Sequence, residues 1–238
     1  SRSNKEVIKH LKQENKYLES WFRSGVDYRK EIFNEIVSRI PKKEDSVPVP
    51  MGSYEYYRRY KPDREYPIYI RRKKNALKEQ VILDVNRIAE GKNFYQLSNW
   101  SISPSENKLA VAEDLTGRRE YIIRIKRISS DSFLDERLTG TSGDIAWSKD
   151  GKFIFYVKRD PETLLPYQVY RHRIGDKQSE DVLIYQEEDN TFHVSVGNTR
   201  SKKYVEIYIS STTSSETLLI DSSSPSDLPN TVLKREKK

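Results

Sequence analysis

The chain has 238 residues, 35% of them hydrophobic and 33% charged, so it can bury a real core but must carry a highly charged surface. Its 43 Lys and Arg against 36 Asp and Glu leave a formal charge of +7, with a mean hydropathy of −0.85. The absence of Cys excludes a disulfide scaffold, a thiol nucleophile and Cys-ligated metal, and no stretch approaches the roughly 18 apolar residues of a membrane helix.

Residues 1–50 read as two helices and a linker. Val7, Ile8, Leu11, Leu18, Trp21 and Phe22 recur at three- and four-residue steps, one stripe of a helix. Gly25 offers a stop and Asp27 stands where an N-cap would. Tyr28, Ile32, Phe33, Ile36 and Ile40 then form a second stripe ended by Pro41. Segment 41–50 (PKKEDSVPVP) has three prolines and no periodicity, as an extended linker would. From Met51 onward β-branched and aromatic residues come in short runs between turn residues, and no helical stripe returns.

A repeat then emerges. Trp100-Ser101-Ile102-Ser103-Pro104 leads into the apolar run 108–112. Forty-seven positions later Trp147-Ser148-Lys149-Asp150-Gly151 leads into 152–157, and 47 further on Val194–Asn198 leads into 204–209. Tyr54, 46 positions before Trp100, opens a degenerate earlier copy. The partner strands are 121–125, 168–172 and 217–220. A period of about 45 residues with several strands per unit is the signature of β-propeller blades. The expected fold is mainly β: a partial, open β-propeller of about three to four blades over 51–238, preceded by two α-helices. Such an arc is expected to expose an apolar face on its last blade, at Val205, Ile207, Ile209, Leu218 and Ile220.

No catalytic residue stands out. Gly140-Thr141-Ser142-Gly143 falls one residue short of a nucleophile elbow and reads as an inter-blade turn. His10, His172 and His193 lie in unrelated segments, too scattered for a metal cluster. Adjacent carboxylates such as Glu113-Asp114 point to opposite faces of a strand and do not pair for catalysis. With only nine Gly, no phosphate-binding loop exists. The basic runs 71–74 and 234–238 read as a charged hairpin tip and a tail. Charges of both signs are interspersed, so nucleic acid is not an expected partner, nor is a membrane, a metal or a cofactor. The chain begins at Ser1 with no apolar leader, as a processed protein or a piece of one would.

Several strings resemble the propeller of oligopeptidase B (protease II), a branch of the prolyl oligopeptidase family of serine peptidases. They are 159–172 (RDPETLLPYQVYRH), Ala112-Glu113-Asp114 with 117–121 (GRREY), 189–192 (DNTF) continuing through 199–204, and Ser210–Ser214. Gln13-Glu14-Asn15 and Arg39-Ile40-Pro41 are similar to the family's leading helices. The resemblance implies a seven-bladed propeller joined to an α/β-hydrolase domain that bears the Ser, Asp and His. It implies cleavage of short peptides after Lys or Arg, and a cytoplasmic or otherwise reducing-compatible location. This chain matches only the helices and about half the propeller, so the implied role is gating and size selection, without activity of its own. The hydrolase domain and short basic peptides are the implied partners. By the same resemblance Arg119 matches an arginine that latches propeller to hydrolase, and Glu113 is a second inter-domain candidate. The position before Phe94, where an acidic partner is implied, holds Asn93. A rival reading is a non-enzymatic propeller-type interaction module.

Overall fold

The computed structural model describes residues 3–41 and 44–236. It contains two compact units: residues up to Asp45 together with Tyr60–Arg64, and the remainder. In the first, α1 (Lys5–Phe22) begins at Asn4, whose side-chain oxygen accepts from the N–H groups of Glu6 and Val7. A 3₁₀ turn at Arg23–Gly25 leads into α2 (Val26–Ser38), and β1 (Glu44–Asp45) follows. The cap of α2 is Gly25, not Asp27. Asp27 lies inside the first turn, where its charge meets the positive end of the helix dipole. Neither helix buries a residue. Leu11, Trp21, Phe33 and Ile36 remain more than half exposed.

The second unit is built of four-stranded antiparallel blades. The first comprises β2 (Val49–Met51), β3 (Tyr54–Tyr60), β4 (Ile68–Lys73) and β5 (Glu79–Asp84), paired in that order. Strand structure thus begins at Glu44 and resumes at Val49, inside the segment read as a linker. Pro50 is tolerated there because β2 pairs on one side only. A short helix, α3 (Val85–Ala89), follows because the Asp84 carboxylate accepts from the N–H groups of Asn86 and Arg87. Five residues are too few to leave a helical stripe, which is why none was legible after Met51.

Seven strands form the next sheet: β6 (Gln96–Ile102), β7 (Lys108–Asp114), β8 (Tyr121–Arg127), β9 (Ser132–Trp147), β10 (Phe153–Arg159), β11 (Pro166–Arg173) and β12 (Val182–Gln186). It is two blades sharing one strand. The first part of β9 pairs with β8, and its end, Ile145–Trp147, pairs with β10. The last blade is β13 (His193–Asn198), β14 (Tyr204–Ser210), β15 (Ser215–Asp221) and β16 (Asn230–Leu233).

Each junction between successive blades is one hydrophobic cluster. Leu109 and Val111 of β7 pack on Tyr56 and Ile82 of the first blade, while Ala110 and Ala112 turn toward Ile154 and Tyr156 of the third. Phe155 and Val157 of β10 face Val205, Ile207 and Ile209 of the fourth. Full burial of each Leu, Val, Ile or Phe side chain here contributes about 1.5–3 kcal/mol. This corrects the expectation for the last blade. Val205, Ile207, Ile209, Leu218 and Ile220 are buried against the third blade, and the opposite face of β14 presents Glu206 and Tyr208.

The repeat is carried by one turn geometry. Ser103, Ser148 and Thr199 each accept, through the hydroxyl, the N–H five residues on (Lys108, Phe153, Tyr204). The residue three after each adopts positive φ: Glu106 at 57°, Gly151 at 65° and Lys202 at 58°. These equivalences shift the expected phase. Trp100 and Trp147 do occupy the first strands of successive blades, but Trp147 stands where Ile102 stands, two residues further along on the same face. The turn hydroxyl, not the indole, sets the register. Tyr54 likewise opens a second strand rather than a first.

Polar side chains stitch the blades. Asn198 imitates a strand partner: its Oδ1 accepts the Trp147 N–H at 2.8 Å, and its Nδ2 donates to the Trp147 carbonyl at 2.9 Å. Asn198→Ala should leave both groups of a buried residue unpaired and lower stability by about 2 kcal/mol, read from the midpoint of urea unfolding at constant slope.

Candidate functional site

The second-to-third strand hairpins of the last three blades share a construction. At 114–121, the buried Asp114 carboxylate accepts the N–H groups of Thr116 (2.8 Å), Gly117 (3.1 Å) and Arg119 (2.7 Å), and the Thr116 hydroxyl. Burial alone would raise its pKa, but these donors outweigh it and hold the carboxyl below the usual range. Asp160 plays the same part at 160–166, accepting from Glu162 and Thr163. Ser211 does so at the last hairpin. The Asp–Thr spacings in these loops are a signal that sequence reading passed over.

Arg119 stands at the tip of the first hairpin with φ of 60°, in the left-handed region. Its carbonyl accepts from Arg159 Nη1 at 2.8 Å, and the Arg159 guanidinium lies over the Tyr121 ring. Backbone capping by Asp114 and Arg159 therefore fixes the residue while its guanidinium stays exposed, with no ion pair among the described residues. Phe94 packs against Gly117, so residues 93 and 94 border this hairpin.

Glu113 occupies a different environment. It is 2% exposed, its Oε1 accepts from Arg124 at 3.0 Å, and Arg124 stacks over Phe133. Burial, then the nearby Glu113 carboxylate, push the Tyr95 hydroxyl pKa upward. The two candidates therefore sit apart in character, Glu113 buried in a network within its own blade and Arg119 displayed on the surface.

The remaining motifs are absorbed by the fold. Gly140–Gly143 lies within β9 where that strand passes between blades, and the Ser142 hydroxyl donates to Asp144. Arg71 of the basic run is 5% exposed. It donates to Gln80 and to the Glu106 carbonyl and stacks over Tyr54. Arg235 pairs with Glu187 and Glu216 and lies over Phe192. Arg71 and Arg235 are thus held by partners, whereas Lys73, Lys74 and Lys234 are exposed, and Lys237 and Lys238 lie outside the described residues.

His172 is fully buried between two carboxylates, Asp181 at Nδ1 (2.6 Å) and Glu136 at Nε2 (2.9 Å). Glu136 belongs to the second blade's last strand, so the imidazolium bolts two blades together. No histidine among the described residues hydrogen-bonds a serine, and none is placed as a general base.

Residues 1–238 match the family described as prolyl oligopeptidase, N-terminal beta-propeller domain, end to end. The chain belongs to that family. It is 35% identical over 94% of its length to dipeptidyl aminopeptidase BI of Pseudoxanthomonas mexicana, and 34% identical over 94% to Protease 2 of Moraxella lacunata. Oligopeptidase B from Leishmania major superposes with a TM-score of 0.93 at 32% identity over 99% of this chain. Oligopeptidase B from Trypanosoma brucei, with covalently bound antipain in a closed form, gives 0.90 at 28%. In each case the chain spans about a third of the relative's length: 33% and 34% of the two enzymes, and 34% of each oligopeptidase B structure. The prolyl oligopeptidase propeller thus accounts for all four blades described.

For this propeller domain, His172 yields a stability signature. Burial lowers the imidazole pKa, but Asp181 and then Glu136 outweigh it and raise it from 6.5 to about 9. A folded pKa above the unfolded one contributes stability that is complete below pH 6.5 and lost as pH rises through 9. The expected loss is about 3 kcal/mol, measured as denaturation midpoints between pH 6 and 10. His172→Gln should flatten the slope in that window.

Proposed function

We propose that the chain is the gating portion of a serine oligopeptidase of the oligopeptidase B type, which hydrolyses short peptides after Lys or Arg, and that chemistry resides in a hydrolase domain carried elsewhere. The superposition of nearly the whole chain on a third of oligopeptidase B carries this reading. Two features of the chain support it. The helices α1 and α2 keep their apolar stripes exposed, a surface that a further domain would cover. Arg119 is fixed in backbone but free in side chain, as a latch residue needs to be. In this role the propeller restricts access by size, and Arg119 meets the hydrolase domain on closure. Asn93 offers that arginine a hydrogen-bond acceptor but no charge.

Acyl transfer needs an activated nucleophile, an orienting base and an oxyanion site within reach of one carbonyl. The described residues bring none of these together. The chain alone should not cleave a fluorogenic Arg-Arg reporter, whereas the same chain continued through its hydrolase domain should do so in an inhibitor-sensitive manner. Removing a whole triad lowers turnover on the order of a million-fold, so the contrast is decisive. Inhibitor-sensitive turnover by 1–238 itself, in a preparation free of other proteases, would overturn the reading.

A further inference from the structure

The first strands of the second, third and fourth blades neighbour one another in turn, β6 beside β9 and β9 beside β13. Where their turns meet lies a cavity of about 470 Å³, within the range of small-ligand sites. Its apolar wall is Trp100, Ile102 and Trp147, and it carries Lys149, Arg200 and Lys202 with no carboxylate among its lining residues.

These three cations have a common origin in the repeated turn. Lys149 and Arg200 each follow the turn-opening hydroxyl residue, Ser148 and Thr199. Lys202 takes the left-handed position of the last turn. Their side chains make no ion pair or hydrogen bond among the described residues, unlike Arg71 and Arg235. The carboxylates of nearby turns already have donors: Glu106 takes the Ser53 N–H, Asp150 the Ser148 hydroxyl and Lys152 N–H, and Asp221 the Ser223 N–H and hydroxyl, with Lys203 and Lys149 near enough to act on it through space. Cations of one sign around a concavity with low-dielectric walls focus potential and favour an anion. A guanidinium adds a planar pair of donors matched to a carboxylate.

We propose that this cavity binds the C-terminal carboxylate of a short peptide ending in an apolar residue. The side chain lies against Trp100 and Trp147, and the carboxylate meets Arg200, Lys149 and Lys202. The site stands independently of the gating role, because binding requires no hydrolase domain.

The probes are the tripeptide Ala-Ala-Phe as free acid and as C-terminal amide, titrated calorimetrically into the 238-residue chain. The free acid should bind at least about tenfold more tightly, a difference of about 1.4 kcal/mol, and added salt should erode that preference. Arg200→Gln with Lys202→Gln should abolish it, and Lys149→Gln alone should reduce it. Lys73→Gln with Lys74→Gln removes the same charge from a remote turn and should leave it intact. Equal binding of acid and amide, no saturable binding of the acid, or persistence of the preference in the Arg200/Lys202 variant would overturn the proposal. So would equal loss in the Lys73/Lys74 variant, which would mean that net charge alone attracts the peptide.

Discussion

Burial of both faces of the central strands β7 and β10 in the two inner blades is the constraint on which this propeller rests. A strand such as β7 has no solvent side: its odd-numbered residues belong to one blade junction and its even-numbered ones to the next. The residues that line one junction therefore position the backbone of the other. The three large clusters run between blades, and only the small one of Tyr57, Ile68 and Ile70 lies within a single blade among the described residues. Cooperativity is thus expected to run along the chain from neighbour to neighbour, as in other repeat architectures.

Apolar packing is nearly non-directional and would tolerate a sliding of one blade on another. Direction comes from polar bonds that cross each junction. Lys126, 1% exposed, donates to the Ile82 carbonyl, and Arg71 to that of Glu106. His172 spans the second junction, and Asn198 and Arg171 the third. Most of these end on backbone carbonyls or N–H groups, so they fix main-chain register more than side-chain choice. A buried cation without its partner is strongly destabilising. Such bonds therefore select one arrangement even where they add little net stability.

The same plan separates two functional ends. First-to-second strand turns gather cations around an aromatic wall. Second-to-third strand hairpins are capped by the carboxylates of Asp114 and Asp160 and the Ser211 hydroxyl, and the first of them displays Arg119. Loops bear function because a rigid sheet beneath them fixes their geometry. Among the described residues, neither end brings a histidine into hydrogen-bond reach of a serine.

Much of this was legible in order of residues alone. Period-two and continuous apolar runs marked every central strand, and the string 159–172 marked the family. The contrast between β10 (FIFYVKR) and β14 (YVEIYIS) even carried the difference between a strand buried on both faces and one with an outward face, because alternation records solvent directly. The turn hydroxyls of Ser103, Ser148 and Thr199 were present too, although the more conspicuous tryptophans suggested a phase two residues away.

Tertiary structure alone decided which charges are spent. Arg71 and Lys73 are near neighbours in one basic run, yet one is buried across a blade junction and the other exposed. Glu113 and Arg119, six residues apart, end in a buried pair with Arg124 and on an open tip. His172, between two arginines at a strand end, gave no sign of partners in the sequence and is an imidazolium sealed between carboxylates from other segments. The reason is physical: a strand's pattern is set by local solvent exposure, which sequence records residue by residue. The fate of a charge depends on partners 20 to 50 positions away, which only the stacking of blades brings within hydrogen-bond reach.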